Sequence, residues 1–466
     1  MKRKQIASPD GFQSLQGLLH EYGQSYWSRV SADDRSHVAR TFAAGSRPLY
    51  IGSFYSGWDA HAIGSANILE AAALPPATYF HACEVIPANR AFLIAHPAAT
   101  RPQHIFADHT EYVCETLIRS AQMIVRNYEA DVQEMLAAGW AADCVQAKVE
   151  MAMLSDLRGI FTNAVLLDRS HCFLCNDECS TWAVPCKDDT IVGIVAGTCC
   201  YDHSLFNKKR LERANVVSDT IIPWAAFACC MARRQPDFIV EECVPNSAVL
   251  VKGMKMFLGK HYDEQSFLLE PCMFSNPQTG MRRFTVYRNM STHFWRMGIP
   301  NPELSFGLCP VTDMHIYFAA TTDEVQAALR AVRIKRGFHA DDASATWMHS
   351  LSQHKYGNLH SAIRDLLPTL PHQNVLLHID QSGSWGLVRG PMARRLLRRS
   401  HVYSMLLKRS QLPSEALLQM GMPTMDEPWR TFLLSCTDAV VRAVAGNGMH
   451  PAVYAALFLS ILLSAA

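Results

Sequence analysis

A short apolar run, Leu49 to Tyr55, stops at Ser56-Gly57 and gives way from Ala60 to Ala73 to residues that favour helix. Strand, tight turn and helix make a unit that cannot bury its apolar face alone, and in this chain the unit recurs. Tyr79 to Cys83 reads as a second strand ending at Glu84, and His104 to Ala107 as a third ending at Asp108. Residues from about 110 to 165 then carry Met, Ala, Leu and Val at helical spacing, which predicts a helical insertion. Alternation resumes with Thr190 to Val195, a helix around Pro223 to Ala232, and Phe238 to Val240, which runs into Glu241-Glu242. Further strands are expected at Phe267 to Leu269 and Phe284 to Tyr287. Continuous apolar strands alternating with helices predict an α/β fold, a Rossmann-like parallel sheet with helices on both faces. Such a sheet binds ligands in the loops beyond the carboxyl ends of its strands.

The rest of the chain is read against that sheet. Residues 1–45 form a polar lead-in ending at Gly45-Ser46-Arg47-Pro48. The sheet domain is expected over 46–290 with an insertion at about 110–188. The irregular stretch 291–430, richer in His, Trp and Arg, is expected to be a second, smaller domain, and 431–466 to return to the sheet. A length of 466 residues accommodates one large domain with insertions or two to three compact ones. The apolar tail Ala452 to Ala466 is shorter than the ~20 residues a bilayer requires and is read as a buried helix. A formal net charge of +1 is no nucleic-acid signature, so a nucleic-acid partner must be met by local clusters of Lys and Arg. Fifteen cysteines, an odd number with several adjacent pairs, follow a polar start, Met1-Lys2-Arg3-Lys4-Gln5; this fits a reducing compartment.

Chemistry concentrates at the strand ends. The turn Phe54-Tyr55-Ser56-Gly57 before a helix serves many folds, but Glu84 after the second strand can accept hydrogen bonds from a ribose diol. Asp108 after the third strand adds a carboxylate that can read an adenine amino group. Ala196-Gly197-Thr198-Cys199-Cys200 follows an apolar strand and sets a thiol at the same edge. A lone cysteine is commonly a buried structural residue, yet the next strand delivers Glu242 beside it, and a thiolate with a carboxylic acid suits nucleophilic attack with acid assistance.

The order of these motifs resembles the cytosine carbon-5 methyltransferase family across nearly the whole chain apart from the lead-in and insertion. Phe54-Tyr55-Ser56-Gly57 looks like its first cofactor motif, Cys83-Glu84-Val85 its second and Ala107-Asp108 its third. Cys199-Cys200-Tyr201-Asp202-His203-Ser204 resembles the catalytic P-C-x-x-F-S, and Glu241-Glu242-Cys243-Val244 resembles E-N-V. Arg282-Arg283-Phe284-Thr285-Val286 looks like the end of Q-x-R-x-R and the strand after it. Leu412-Pro413-Ser414-Glu415, continuing to Leu418-Gln419-Met420-Gly421-Met422-Pro423, is similar to L-T-x-x-E-x-x-R-L-Q-G-F-P. Gly446-Asn447-Gly448-Met449-His450-Pro451-Ala452-Val453 matches G-N-S-V-P-P-x-V. The chain departs from the patterns at Asp59, where the cofactor turn has its second glycine, and at Cys199 for Pro, His203 for Phe, Cys243 for Asn and Met281 for the first Arg.

The resemblance implies an S-adenosyl-L-methionine-dependent DNA methyltransferase with a target-recognition region at 291–430. It implies that the Cys200 thiolate adds to ring carbon 6 of a flipped-out cytosine while Glu242 hydrogen-bonds or protonates ring nitrogen 3. Arg283 would hold the base carbonyl or support the loop, and Phe54, Tyr55, Ser56, Gly57, Glu84, Val85, Asp108 and Asn447 would line the cofactor. The same motifs serve tRNA in one branch of the family, and the altered Pro and Asn positions admit a catalytically silent relative that binds nucleic acid. DNA as substrate implies a nuclear location in a eukaryote and a cytoplasmic one otherwise.

Two further features stand outside that scheme. Cys172, Cys175, Cys179 and Cys186 place four thiols within fifteen residues around a C-x-x-C pair; they are a candidate structural zinc site or a set of reduced, unliganded cysteines. Arg389, Arg394, Arg395, Arg398, Arg399, Lys408 and Arg409 are read as a helix face and loop contacting phosphates or as a solvated charge run. Trp347 and Trp385 either anchor a small core or stack on bases.

Overall fold

The computed structural model describes residues 14–43, 47–185, 189–198, 220–292, 294–308, 314–366, 375–380, 387–389, 393–394, 396, 401–446 and 448–465. They divide into two compact units. One comprises Tyr26–Leu269, Met281–Ser305 and Tyr454–Ala466; the other comprises Met1–Ser25, Glu270–Gly280 and Phe306–Val453.

The first unit is built on a seven-stranded sheet. Its strands are β1 (Leu49–Phe54), β2 (Thr78–Cys83), β3 (Ile105–Phe106), β6 (Ile191–Gly197), β7 (Phe238–Cys243), β8 (Tyr262–Leu269) and β10 (Arg282–Asn289), in the order β3-β2-β1-β6-β7-β10-β8. A two-stranded hairpin, β4 (Arg169–Cys172) with β5 (Asp177–Ser180), lies between β3 and β6 in sequence. Neighbours from β3 to β7 pair in parallel, and the strand order reverses between β1 and β6. β10 alone runs against the rest, pairing antiparallel with both β7 and β8. The sheet is therefore mixed where a parallel one was expected. The link from β8 to β10 carries a 3-10 turn and β9 (Gln278–Thr279) but no α-helix of the kind that usually carries a parallel crossover, and the two strands pair antiparallel.

Helices on both faces complete this Rossmann-like α/β unit: α1 (Tyr22–Ser28), which belongs to it from Tyr26, α2 (Ala32–Thr41), α3 (Ala60–Ala71), α4 (Pro87–Ala95), α5 (Glu115–Ala137), α6 (Ala142–Phe161), α7 (Ile221–Arg234) and α8 (Ala248–Leu258). The expected helical insertion is the antiparallel pair α5 and α6, whose apolar stripe, with Val125, Val149, Met153 and Leu157, packs with α7 and α8 on Phe54, Ile194 and Ile239 of the sheet. α3 is tied to β2 by the Tyr79 hydroxyl, which donates to Ala62 O at 3.0 Å and lies 2.8 Å from Ser65 Oγ.

α9 (Pro302–Phe306) belongs to the first unit as far as Ser305. The second unit holds β9 (Gln278–Thr279), α10 (Thr322–Lys335), α11 (Gln353–Leu366), β11 (Val375–His378), β12 (Leu387–Arg389), β13 (Ala393–Arg394), β14 (Val402–Ser404), β15 (Arg409–Ser410), α12 (Pro413–Gln419), α13 (Trp429–Leu434) and α14 (Asp438–Ala445). Its main sheet has the order β12-β11-β14-β15, and α10 and α11 cover it through Leu329, Leu359, Val375 and Leu377. Trp347 belongs to that core, so it is an anchor and not a stacking platform. Glu415, 1% exposed, takes both guanidinium nitrogens of Arg409 at 2.7 and 2.8 Å and the backbone N–H of Ala320 and Leu412. That buried pair corrects the phosphate reading of Arg409. Arg389 and Arg394 lie on strands, not on a helix face; Trp385, Arg395, Arg398 and Arg399 lie outside the described residues. Gly421 has φ +84°, and a Cβ there would come within 2.8 Å of Pro451 Cδ, so the Gly421-Met422-Pro423 turn seats directly against His450-Pro451.

The apolar tail is helix α15 (Pro451–Ser464), buried along its whole length. Its Tyr454 ring stands 5.7 Å from His61 of α3. No helix among the described residues is long and apolar enough to cross a membrane.

His81 of β2 marks the cost of so dense an interior. It is 1% exposed among Phe54, Phe80 and Trp182, and neither ring nitrogen has a hydrogen-bond partner among the described residues. Burial pulls its pKa down from 6.5 to about 3. The unfolded chain therefore takes up this proton below about pH 6.5 while the folded chain does not. The stability is full above that pH and falls, by up to about 1.4 kcal/mol per pH unit for one such group, as pH drops towards 3. His81→Leu is expected to leave stability at pH 7 unchanged or raised, because it removes unsatisfied polar atoms, and to flatten the dependence of the melting temperature on pH between 6.5 and 4. An unchanged slope would place the titration elsewhere.

Candidate functional site

Parallel pairing brings the carboxyl ends of β3, β2, β1, β6 and β7 to one edge. Register fixes who stands beside whom: Cys83 pairs with Phe106 and Phe54, Phe54 with Ala196, and Gly197 with Glu242. The candidate residues thus line up along the edge as Asp108, Glu84, the turn 55–59, the exit of β6, and Glu242.

The turn after β1 is sharply wound. Tyr55, Gly57 and Asp59 all have positive φ, at 52°, 59° and 61°. Asp59 takes a left-handed conformation that short polar residues tolerate, so it occupies the position of the missing second glycine without losing the turn. Its carboxylate is buried, 3.0 Å from His61 Nδ1. The turn is held from the neighbouring strand, where Glu84 Oε2 accepts the Gly57 N–H at 2.8 Å while Oε1 accepts that of Ile86 at 2.7 Å. Ser56 Oγ adds bonds to Cys83 O and from Cys83 N.

Glu84 is 5% exposed, and each of its oxygens has spent one acceptor site on a backbone donor. Val85 beside it is 61% exposed, an apolar side chain standing open at a strand end. Asp108 Oδ1 accepts the Thr110 N–H at 2.9 Å, and the side chain is one-third exposed. Beneath them His109 is buried against the Tyr55 ring at 4.7 Å and bonded to Pro223 O at 2.8 Å; burial lowers its pKa and keeps it neutral. Two acids one strand apart with an apolar residue between them fit the ribose and base of a nucleoside cofactor such as S-adenosylmethionine. Phe54 itself is interior, packed on Phe227 of α7, and supports the turn from below.

At the other end of the edge two consecutive glutamates face opposite ways, as strand geometry demands. Glu241 turns to the α7 side and receives Trp224 Nε1 at 3.0 Å, Thr198 Oγ1 at 3.1 Å and the Tyr287 hydroxyl at 2.9 Å. Burial raises its pKa, and these three donors oppose the rise. Glu242 turns the other way and meets Arg282 Nε at 3.0 Å. Arg283, one residue on, lies on the opposite face and donates from Nε and Nη2 to Pro245 O at 3.1 and 2.6 Å, so it braces the loop after β7 and does not approach Glu242. The cation beside the acid is Arg282, whereas the resemblance had put the last Arg of its pattern at Arg283, one residue later; of the two roles expected for Arg283, support of the loop matches its bonds to Pro245. Period-2 alternation from Phe284, paired with Glu242, already pointed to Arg282.

Gly197 joins the two halves. A Cβ at this glycine would lie 3.4 Å from Tyr55 O and 3.7 Å from Glu242 Oε2, so the turn after β1 and the acid approach each other over its bare backbone. Thr198 then leads towards Cys199-Cys200. Cys200 lies outside the described residues, as do Asn447 and Cys186.

Among the predicted cysteines, Cys172, Cys175 and Cys179 do come together, and His104 joins them; all four ligand atoms lie within 4.8 Å of one another. His104 belongs to the approach to β3 and is distant in sequence from the C-x-x-C pair, which is why spacing alone did not find it.

No protein-family model matches the chain, and no curated protein sequence matches it. Among solved structures it is similar to a DNA modification methyltransferase encoded within an E. coli prophage, with 12% identity and TM-score 0.46 over 88% of this chain and 98% of that one. It is similar also to the methyltransferase EhMeth of Entamoeba histolytica, with 9% identity and TM-score 0.44 over 89% and 98%. A third similar structure is the Dnmt2 methyltransferase of S. pombe, with 11% identity and TM-score 0.41 over 90% and 98%.

Glu84→Ala is expected to release the Gly57 and Ile86 amides. Hydrogen exchange across residues 55–59 should quicken by an order of magnitude or more while the amides of β6 and β7 keep their protection. Unchanged exchange in the turn would mean that its own backbone bonds suffice to hold it.

Proposed function

We propose that the chain is an S-adenosylmethionine-dependent methyltransferase that modifies carbon 5 of cytosine in DNA, with Cys200 as nucleophile and Glu242 as acid. The observation that carries this reading is the convergence over Gly197. The turn bonded to Glu84 and the arginine-paired Glu242 share one edge, three strand steps or about 14 Å apart from Glu84 to Glu242, and the strand between them leads to Cys200.

In this reading Glu84 accepts the ribose hydroxyls, Val85 covers one face of the adenine, and Asp108 accepts its amino group. Tyr55, Ser56 and Gly57 shape the floor, and Asn447 belongs to the same set through the motif that contains it. The bound cofactor supplies an electrophilic methyl group. The Cys200 thiolate forms a carbon–sulfur bond at ring carbon 6, and the displaced electrons reach ring nitrogen 3, where Glu242 donates a proton. Carbon 5 becomes nucleophilic and would take the methyl group as that group's bond to the cofactor's sulfonium sulfur breaks and the electron pair stays on sulfur. Loss of the carbon 5 proton to water, return of the nitrogen 3 proton to Glu242 and departure of the thiolate restore the ring. Arg282 orients the Glu242 carboxylate, and Arg283 holds the adjoining loop. Since ring carbon 6 is covered within a duplex, the base is flipped out.

Purified protein incubated with tritium-labelled S-adenosylmethionine is expected to label duplex DNA of mixed sequence, and Cys200→Ala to abolish that label. Arg282→Met should lower kcat at least tenfold, whereas Arg283→Met should lower the melting temperature more than it lowers kcat. Label in total tRNA instead of DNA would reassign the substrate. Cofactor binding without label on either would favour a silent nucleic-acid-binding relative.

A further inference from the structure

We propose that Cys172, Cys175, Cys179 and His104 bind one structural zinc ion that fastens the β4–β5 hairpin to the outer edge of β3. The site is independent of the methyltransferase reading: it faces the far end of the sheet from Glu242 and uses none of the residues assigned above.

The local fold is that of a metal-binding turn. β4 ends at Cys172, the chain turns through Phe173 and Leu174 to Cys175, and β5 returns through Cys179, which pairs with Ser170. Asn176, directly after the second cysteine, is left-handed with φ +54°, and its N–H bonds Cys172 O at 2.8 Å. This winding turns the Cys175 side chain back towards Cys172. Backbone donors already point at the first sulfur: the N–H of Ile105 lies 3.3 Å from Cys172 Sγ, and that of Cys175 lies 3.5 Å away. Such N–H to sulfur contacts favour a thiolate and orient it, the supporting role that outer hydrogen bonds play around metal ligands.

The spacing suits the ion. With Zn–S near 2.3 Å and Zn–N near 2.05 Å, a tetrahedral centre sets sulfur and nitrogen about 3.6 Å apart and two sulfurs about 3.8 Å apart. Cys175 Sγ stands 3.5 Å from His104 Nδ1, and the whole set fits within 4.8 Å. Three thiolates and an imidazole are a closed structural ligand set with no position left for water or substrate. A disulfide explains the cluster less well, since it would use two of the three thiols and leave the histidine without a role.

What the ion would do follows from its neighbours. β3 has only two residues, and Ile105 directs its N–H to Cys172 Sγ and its C=O to the Phe173 N–H, both away from β2. Arg90 of α4 stands over the Phe173 ring at 4.2 Å. Metal binding would thus lock the strand that delivers Asp108 between β2 and the hairpin.

The test is metal analysis of the full chain, expressed with zinc and purified under reducing conditions, followed by exchange with cobalt(II). One equivalent of zinc per chain is expected, and the cobalt form should show thiolate charge-transfer absorption and the intense visible bands of a tetrahedral site. Cys175→Ser and His104→Ala should each lower the bound metal at least tenfold after dialysis against a weak chelator, while exposed Cys144→Ser retains it. Removal of zinc by a strong chelator should lower the melting temperature and speed hydrogen exchange in residues 104–107. Less than a tenth of an equivalent in the wild-type chain, even after reconstitution, would overturn the proposal whether or not the variants fold. Loss of metal in Cys186→Ser with retention in His104→Ala would overturn the assignment of the fourth ligand.

Discussion

The Glu84 carboxylate accepts the Gly57 N–H at 2.8 Å, and with that bond the end of β2 holds the turn that leaves β1. Three left-handed residues in five make this turn costly for the chain to adopt unaided. A buried acceptor one strand away supplies what the local sequence lacks. The arrangement also settles the geometry of the edge, because the turn must lie flat against β2 for the bond to form, and its Tyr55 carbonyl then reaches across to Gly197. One carboxylate thus ties the end of β2 to two stretches of backbone, the turn at Gly57 and its own exit at Ile86.

Glu241 and Glu242 show the same economy by alternation. One peptide apart, they face opposite sides of β7. Glu241 closes a buried network with Trp224, Thr198 and Tyr287, which pins β6, β7, β10 and α7 together. Glu242, itself 8% exposed, meets Arg282 on the other face.

Much of the layout was legible in the sequence because it depends on local patterns. The apolar runs from Leu49, Tyr79, Thr190, Phe238 and Phe284 each became strands, the helical stretch after residue 110 became α5 and α6, and the final apolar segment became a buried helix. Glu84 and Asp108 stand just beyond β2 and β3, and Glu242 stands at the last pair of β7 with β6, next to the strand's end at Cys243. What the sequence obscured depends on pairing. The antiparallel sense of β10 follows from its link to β8, and the choice between Arg282 and Arg283 follows from register, where a shift of one residue exchanges the faces. His104 was hidden for a further reason: it approaches the cysteines only because β3 and the hairpin lie side by side. Arg409 looked like a surface charge in a basic run, and only the fold supplies Glu415 as its buried partner.

The hairpin β4–β5 bears on a hazard common to open sheets. A border strand with free N–H and C=O groups is a template on which another chain can add. β3 occupies that border, but Ile105 has given its donor to a sulfur and its acceptor to Phe173, and the strand is too short to present a second such pair. The insertion therefore acts as a selvedge, a woven border that keeps the sheet from unravelling or from being extended by a neighbour. At the opposite border β8 carries Asp263 and Glu264, which are paired with Arg288 and Lys255. The two margins of one sheet thus differ, one covered by a hairpin and one lined by ion pairs.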